Sequence, residues 1–99
     1  MTLLIDQYLE YVTKYKKKYG NKKTIVLMQV GAFFELYDLY DKTTNKYDND
    51  DILDFSIVCN LRIAEKNINI NNKSVVMSGF RDYSLEKYLD ILQKNNYTI

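Results

Sequence analysis

The 99-residue sequence contains no histidine and only one cysteine, Cys59. Without histidine, its residues cannot form a Ser-His-Asp triad or a Cys-His pair. The usual zinc sites, which need several cysteine or histidine ligands, are excluded for the same reason. A lone cysteine also argues against a disulfide scaffold and fits a reducing, intracellular compartment. We expect Cys59 to be a small residue of the buried core.

Glycine and long apolar runs are also scarce. The glycines are Gly20, Gly31 and Gly79, and none lies in a phosphate-binding loop motif. No apolar run approaches the roughly 20 residues that span a bilayer. The first residues include acidic side chains and no small-residue cleavage site, so we expect no signal peptide and no membrane partner. Carboxylate chemistry stays open, although nothing in the sequence marks out an active site.

Charge is distributed unevenly along the chain. The formal net charge is +1, which does not mark the whole domain as a nucleic-acid binder. Residues 1–23 contain six lysines against two acidic residues, whereas residues 35–54 contain seven acidic residues against two lysines. A basic surface would therefore be local. The lysines at positions 14, 16, 17 and 18 fit a solvated helix end best, with contacts to DNA phosphates as the alternative.

Three segments have the spacing of helices. Apolar side chains recur at steps of three and four in residues 4–19, and Gly20 follows as a stop signal. Residues 84–96 show the same spacing behind Ser84, which suits the start of a helix. Residues 51–60 favour a helix that begins near Asp50 or Asp51, although their second half would also suit a strand.

Extended segments alternate with these helices. Residues 24–30 are almost continuously apolar, which predicts a central strand buried on both faces. Residues 33–40 alternate instead, and this defines two opposite faces: Phe34, Leu36 and Asp38 on one, and Phe33, Glu35, Tyr37 and Leu39 on the other.

Further strands are expected at residues 61–65, at 74–78 and from 97 onward. Between them, the asparagine-rich stretch after Glu65 is expected to be a connector, and Gly79 is expected to end its strand. The alternation of helices and strands predicts one domain over residues 1–99, of the α/β or α+β class, with a mixed β-sheet flanked by helices.

The segment MQVGAFFELYDLY, residues 28–40, carries the most specific motif. Its core, from Gly31 to Leu36, resembles the Gly-x-Phe-Tyr-Glu-Leu signature of the mismatch-recognition domain, domain I, of MutS DNA mismatch-repair proteins. Two more blocks follow the family's order: Gln-Tyr-Leu at residues 7–9 and Met-Ser-Gly-Phe at residues 77–80. A Tyr-Leu pair at residues 88–89 also agrees. The resemblance covers about residues 4–99 and implies a MutS domain I-like fold that continues beyond Ile99.

The resemblance implies a site and partners. In the family, the phenylalanine stacks on a mispaired base from the minor groove and the glutamate hydrogen-bonds to that base, so these roles fall on Phe33 and Glu35. Gly31 would supply the turn that presents Phe33. Phe34 belongs to the motif, although a core position suits it best. The expected partners are mismatched double-stranded DNA and the remaining MutS domains or a MutS-like partner. ATP and magnesium belong to those other domains, so this chain is expected to hold no cofactor and to catalyse no reaction.

Arg62 and Lys66 are further candidates, because their charge suits DNA phosphates. The chain also departs from the family pattern. Arg81 replaces the proline that usually follows Gly-Phe, Ala32 stands where many members carry a charge, and Phe34 replaces a tyrosine.

Two alternatives remain at this point. The chain could be a MutS-derived module that serves protein interaction or structure without binding mismatches. It could also be a carboxylate-based nuclease that holds a metal ion with its acidic cluster, Asp48, Asp50, Asp51 and Asp54, although a solvated acidic loop explains that cluster more simply.

Overall fold

The computed structural model describes residues 2–20 and 23–99. In chain order, their elements are α1 (Thr2–Tyr19), β1 (Met28–Val30), β2 (Phe33–Asp41), β3 (Lys46–Tyr47), α2 (Asp51–Cys59), β4 (Ala64–Ile70), β5 (Lys73–Arg81), a 3-10 turn (Asp82–Ser84) and α3 (Leu85–Lys94). The three helices lie in the three expected segments, and Asp51–Cys59 are helical throughout and do not form the strand that their second half would also have suited. None of these described helices combines the length and the apolar character that crossing a membrane requires.

The strands form one sheet in the order β1-β2-β5-β4, and β3 pairs with the end of β2. All four strand pairings are antiparallel, and one isolated parallel bridge joins Thr24 to Thr98. Helices and strands therefore combine as an α+β fold, which confirms the predicted class. Among the described residues, the strands of the sheet pair only in antiparallel fashion, and the parallel bridge lies outside the named strands.

An aromatic cluster joins the sheet to two helices. The ring of Phe80 in β5 lies 4.6 Å from that of Tyr88 in α3, 6.0 Å from that of Phe34 in β2 and 6.4 Å from that of Phe55 in α2, measured between centroids. Such aromatic contacts stabilise the fold beyond the contribution from the apolar area that each ring buries. Cys59 is buried beside this core as predicted, and its burial raises the pKa of the thiol to about 11.

Residues 24–30 do not form a central strand, so that prediction was wrong. Only Met28–Val30 are extended as β1, which pairs with β2 alone at the edge of the sheet. Two of the preceding residues, Ile25 and Val26, form single backbone hydrogen bonds and not a strand ladder. Tyr8 Oη donates to the Val26 carbonyl at 2.7 Å, and the Ile25 N–H donates to the Thr98 carbonyl at 2.8 Å. The apolar character of this segment reflects the burial of Ile25 in the core. It does not reflect a position between two neighbouring strands.

The asparagine-rich stretch after Glu65 is a strand and not a connector, which corrects a second prediction. It forms most of β4, which begins at Ala64 rather than at residue 61. Ile68 and Ile70 are half-buried while Asn67 and Asn69 are exposed, so the stretch has the period of two that a strand requires. Only Asn71 and Asn72 form the turn, with φ of 53° and 63°. Asparagine tolerates these positive values, which a two-residue hairpin turn needs.

Asp38 is a carboxylate buried in the middle of β2 and only 1% exposed. Its Oδ1 accepts the Leu39 N–H at 2.8 Å, and its Oδ2 accepts the Asn49 N–H at 2.9 Å, which ties the segment before α2 to the sheet. Burial raises the pKa of Asp38 to about 6, although these hydrogen bonds oppose the rise. The folded protein therefore binds the Asp38 proton more tightly than the unfolded chain does.

The buried Asp38 should make stability fall as the pH rises from 4 to 7. Its protonation stabilises the fold fully below the unfolded pKa of 3.8, and this stabilisation is lost as the pH rises through the folded value of about 6. The difference corresponds to about 3 kcal/mol. We expect urea unfolding of the wild type to lose about 2 kcal/mol relative to Asp38→Asn between pH 4 and pH 7, because part of the stabilisation is already lost at pH 4. Parallel pH profiles for the two proteins would contradict this assignment.

Candidate nucleic-acid interface

A two-residue turn, Gly31 and Ala32, connects β1 to β2 and places Phe33 at the start of β2. Gly31 has the positive φ that the sequence predicts, +59°, and glycine in the first position of such a turn matches type II′. Nothing lies within 4 Å of the place where a Cβ of Gly31 would be, so backbone conformation and not crowding favours glycine. The Ala32 carbonyl accepts the Asp82 N–H at 2.8 Å, which anchors the turn to the end of β5.

Phe33 is the exposed aromatic residue of this turn. Its side chain is 40% exposed, although it begins a strand whose next residues are largely buried. Across the sheet it pairs with Arg81, whose guanidinium carbon lies 4.9 Å from the centroid of the Phe33 ring. The ring therefore lies at one end of the sheet with an arginine beside it.

Glu35 lies on the same face of β2 as Phe33, because side chains two residues apart on a strand point the same way. It is only 7% exposed, and its Oε1 accepts a hydrogen bond from Tyr37 Oη at 2.8 Å. Burial, and then the adjacent Glu35 carboxylate, raise the pKa of Tyr37 well above its ordinary value, so the phenol remains a donor. Among the described residues, the buried side-chain polar atoms without a hydrogen-bond partner belong to Thr24 and Ser78. One carboxylate oxygen of the largely buried Glu35 is thus held by Tyr37.

Gly79 makes room for this arrangement. It lies in β5 directly opposite Glu35, and β5 continues through it to Arg81, so the prediction that Gly79 ends the strand was wrong. A Cβ at this position would collide with the Phe34 carbonyl oxygen and would lie 3.1 Å from Glu35 Cα and 3.2 Å from Glu35 Cγ. The two strands approach each other here at a distance that only glycine permits.

Phe34 points the other way. It pairs with Phe80 across the sheet, and its half-buried ring belongs to the aromatic cluster described above. The structure therefore does not bring Phe34 together with Phe33 and Glu35, and its placement is that of a core residue, the role that suited it best.

The two cationic candidates lie at different distances from Phe33. Arg62 is exposed and comes just before β4, whose Ala64 pairs with Met77. Because β4 and β5 are antiparallel, Arg62 lies at the end of the sheet that also contains Phe33 and Arg81, but beyond β5. Lys66 is half-buried within the register shift between Glu65 and Asn69, farther along β4.

The acidic cluster is partly neutralised by lysines. Asp51 Oδ1 lies 2.7 Å from Lys16 Nζ, and Asp48 Oδ1 lies 2.6 Å from Lys73 Nζ. In the part of the chain that the structure describes, no group of three acidic, cysteine or histidine side chains is arranged to hold a metal ion. The observed contacts are those of an acidic loop that binds neighbouring lysines.

Three residues beside Phe33 and Glu35 were not predicted as site residues from the sequence: Tyr37, Gly79 and Arg81. Of these, the alternation of β2 could have identified Tyr37, because Tyr37 lies two residues after Glu35 and therefore on the same face. Gly79 and Arg81 come from another strand, and only the register between β2 and β5 places them beside Glu35 and Phe33.

The sequence matches no protein-family model, and no curated protein is significantly similar to it.

Proposed function

We propose that this chain is a DNA-binding module that recognises mispaired or unpaired bases by inserting Phe33 from the minor groove, and that it is part of, or derived from, a MutS mismatch-repair protein. The observation that carries the proposal is the pairing of an exposed phenyl ring with a carboxylate on one face at the end of a sheet. Phe33 is 40% exposed, and Glu35 follows it on that face with one oxygen already held by Tyr37.

The exposed ring suits a wedge. An apolar side chain inserted between base pairs unstacks and kinks the duplex, which costs a few kcal/mol per step. A mispaired step costs less to unstack than a matched one, so the wedge distinguishes bases by deformability and not by sequence. Phe33 has the required position, since it begins β2 immediately after a tight turn.

The carboxylate supplies discrimination. Glu35 Oε2 can accept an N–H of an unstacked base while Tyr37 holds Oε1 in place. Bringing a carboxylate close to DNA is unfavourable unless such a hydrogen bond forms. A matched, stacked pair does not present this N–H to the site, so Glu35 disfavours insertion at matched pairs.

The chain by itself should bind DNA weakly, because its net charge of +1 leaves few cations to neutralise phosphates. The proposal therefore includes further partners: the remaining domains of a MutS protein or a MutS-like partner, which would hold the duplex and, as the resemblance implies, use ATP and magnesium. The protein would act inside the cell, in association with DNA.

Binding to duplexes with and without one G·T mismatch tests the proposal. At low salt, we expect fluorescence anisotropy to show roughly tenfold tighter binding to the mismatched duplex, since about 1.4 kcal/mol of saved unstacking energy is a factor of ten in affinity. Phe33→Ala should bind both duplexes equally. Leu53→Ala is the matched control, because Leu53 is apolar, 40% exposed and located on α2.

A mismatch preference that survives in Phe33→Ala, or equal binding of the two duplexes by the wild type, would overturn the proposal. Equal binding would favour the protein-interaction module instead.

A further inference from the structure

Arg81 and Phe33 form a cross-strand pair at the exposed end of the sheet. They occupy directly opposite positions on β5 and β2, and the guanidinium carbon is 4.9 Å from the ring centroid. Both side chains are exposed. A cation over an aromatic face at this distance is attracted to the ring, so the guanidinium stays beside the ring.

Among the residues that the structure describes, no carboxylate forms an ion pair with the Arg81 guanidinium. Four ion pairs occur among the described residues, and all of them use lysines: Lys16–Asp51, Lys42–Glu65, Lys73–Asp48 and Lys94–Asp90. The acidic groups closest in sequence and register to Arg81 are Asp82 and Glu35. Asp82 makes no ion pair with Arg81, and Glu35 Oε1 accepts its hydrogen bond from Tyr37. Within the described part of the chain, no ion pair therefore occupies the N–H donors of Arg81.

The charge at this position matters for any approach to DNA. Residues 28–37 and 77–83, which form this end of β1, β2 and β5, contain the acids Glu35 and Asp82 and a single cation, Arg81. Without Arg81, these two ranges would carry only negative charge, which phosphates repel. The narrow minor groove has a negative potential that attracts arginine.

From these observations we infer that Arg81 is a DNA-binding residue that enters the minor groove together with Phe33 and supplies the positive charge at the point of insertion. The inference rests on the proposed function of Phe33. The guanidinium would donate to acceptors at the edge of the groove, on bases or on the adjacent phosphate. It would also hold the ring in the orientation that insertion requires. Arg81 is thus a further recognition residue, contributed by β5.

The salt dependence of binding tests this inference, because each cation that neutralises a phosphate contributes to the slope of log K against log salt. We expect Arg81→Gln to weaken binding to the G·T duplex about tenfold at low salt and to reduce the slope by about 0.9. The slope for the matched duplex, into which Phe33 does not insert, should change less. Arg81→Lys should retain the slope, because it keeps the charge.

Lys87→Gln is the control, since Lys87 is an exposed cation whose Nζ lies 5.2 Å from the ring centroid of Tyr88 in α3. It removes the same charge from a similar cation–aromatic pair elsewhere and should leave the slope unchanged. Thermal unfolding of each variant checks that the fold is retained. A wild-type slope in Arg81→Gln, or an equal change in Lys87→Gln, would overturn the role of Arg81.

Failure of this inference is distinguishable from failure of the proposed function. If Phe33→Ala abolishes the mismatch preference while Arg81→Gln keeps the wild-type slope, only the role of Arg81 is lost. If Phe33→Ala retains the preference, the wedge is wrong, and the inference about Arg81 falls with it.

Discussion

Replacing Phe80 with alanine should lower the free energy of unfolding by about 4 kcal/mol, the typical cost of removing a buried phenyl ring. Phe80 is 5% exposed, and its ring contacts those of Phe34, Phe55 and Tyr88. One side chain therefore connects β5 to β2, α2 and α3. A domain of this size has a total stability of only about 5–15 kcal/mol, so the variant should be close to unfolding at physiological temperature.

Urea unfolding followed by circular dichroism measures this loss. Tyr83→Ala is the control, because Tyr83 is an aromatic residue only three positions away and is 81% exposed. That substitution should change stability by less than about 0.5 kcal/mol. Similar losses in the two variants would show that Phe80 does not join the helices to the sheet.

Gly79→Ala should lower the free energy of unfolding by about 3 kcal/mol, although it adds a single methyl group. The new Cβ would meet the Phe34 carbonyl oxygen and the Glu35 side chain, and both belong to the neighbouring strand. Backbone atoms cannot rotate away as a flexible side chain does, so β2 and β5 would have to separate beside Glu35. We expect mismatch preference to fall together with stability, since the same movement displaces Glu35.

Ser78→Ala is the matched control for this substitution. Ser78 precedes Gly79 in β5, it is buried, and its hydroxyl has no hydrogen-bond partner among the described residues. Alanine removes that unpaired group and should leave stability unchanged or slightly higher. Wild-type stability in Gly79→Ala would contradict the close approach of the two strands.

Local patterns predicted most of the elements. The helices follow from apolar steps of three and four, and both faces of β2 follow from its alternation, because each signal depends only on residues near in sequence. Three local predictions failed: the central strand at residues 24–30, the connector after Glu65 and the strand end at Gly79. The continuous apolar run before β1 correctly indicated burial, because Ile25 is buried in the core. It did not indicate a central strand, since no strand lies on each side of Ile25. The asparagines of β4 hid a period of two because their composition is typical of turns.

The candidate site was predictable only on one strand. Gly31, Phe33 and Glu35 lie within five residues of one another, so the motif and the strand period place them together. Gly79 and Arg81 lie more than forty residues later, and their positions depend on which residue of β5 faces which residue of β2. A shift of one residue in that register would move Arg81 to the opposite face, and composition alone does not determine the register.

The most direct test of the central claim is the position of the Phe33 ring in a complex with DNA. Solution NMR of this 99-residue chain with a G·T duplex can detect contacts between the Phe33 ring protons and DNA protons. We expect intermolecular nuclear Overhauser effects from the ring to the mispaired base and to sugar protons of the minor groove, together with an upfield shift of the ring protons. The matched duplex should produce neither. A saturated complex with the mismatched duplex in which the Phe33 ring shows no contact with DNA would contradict the account.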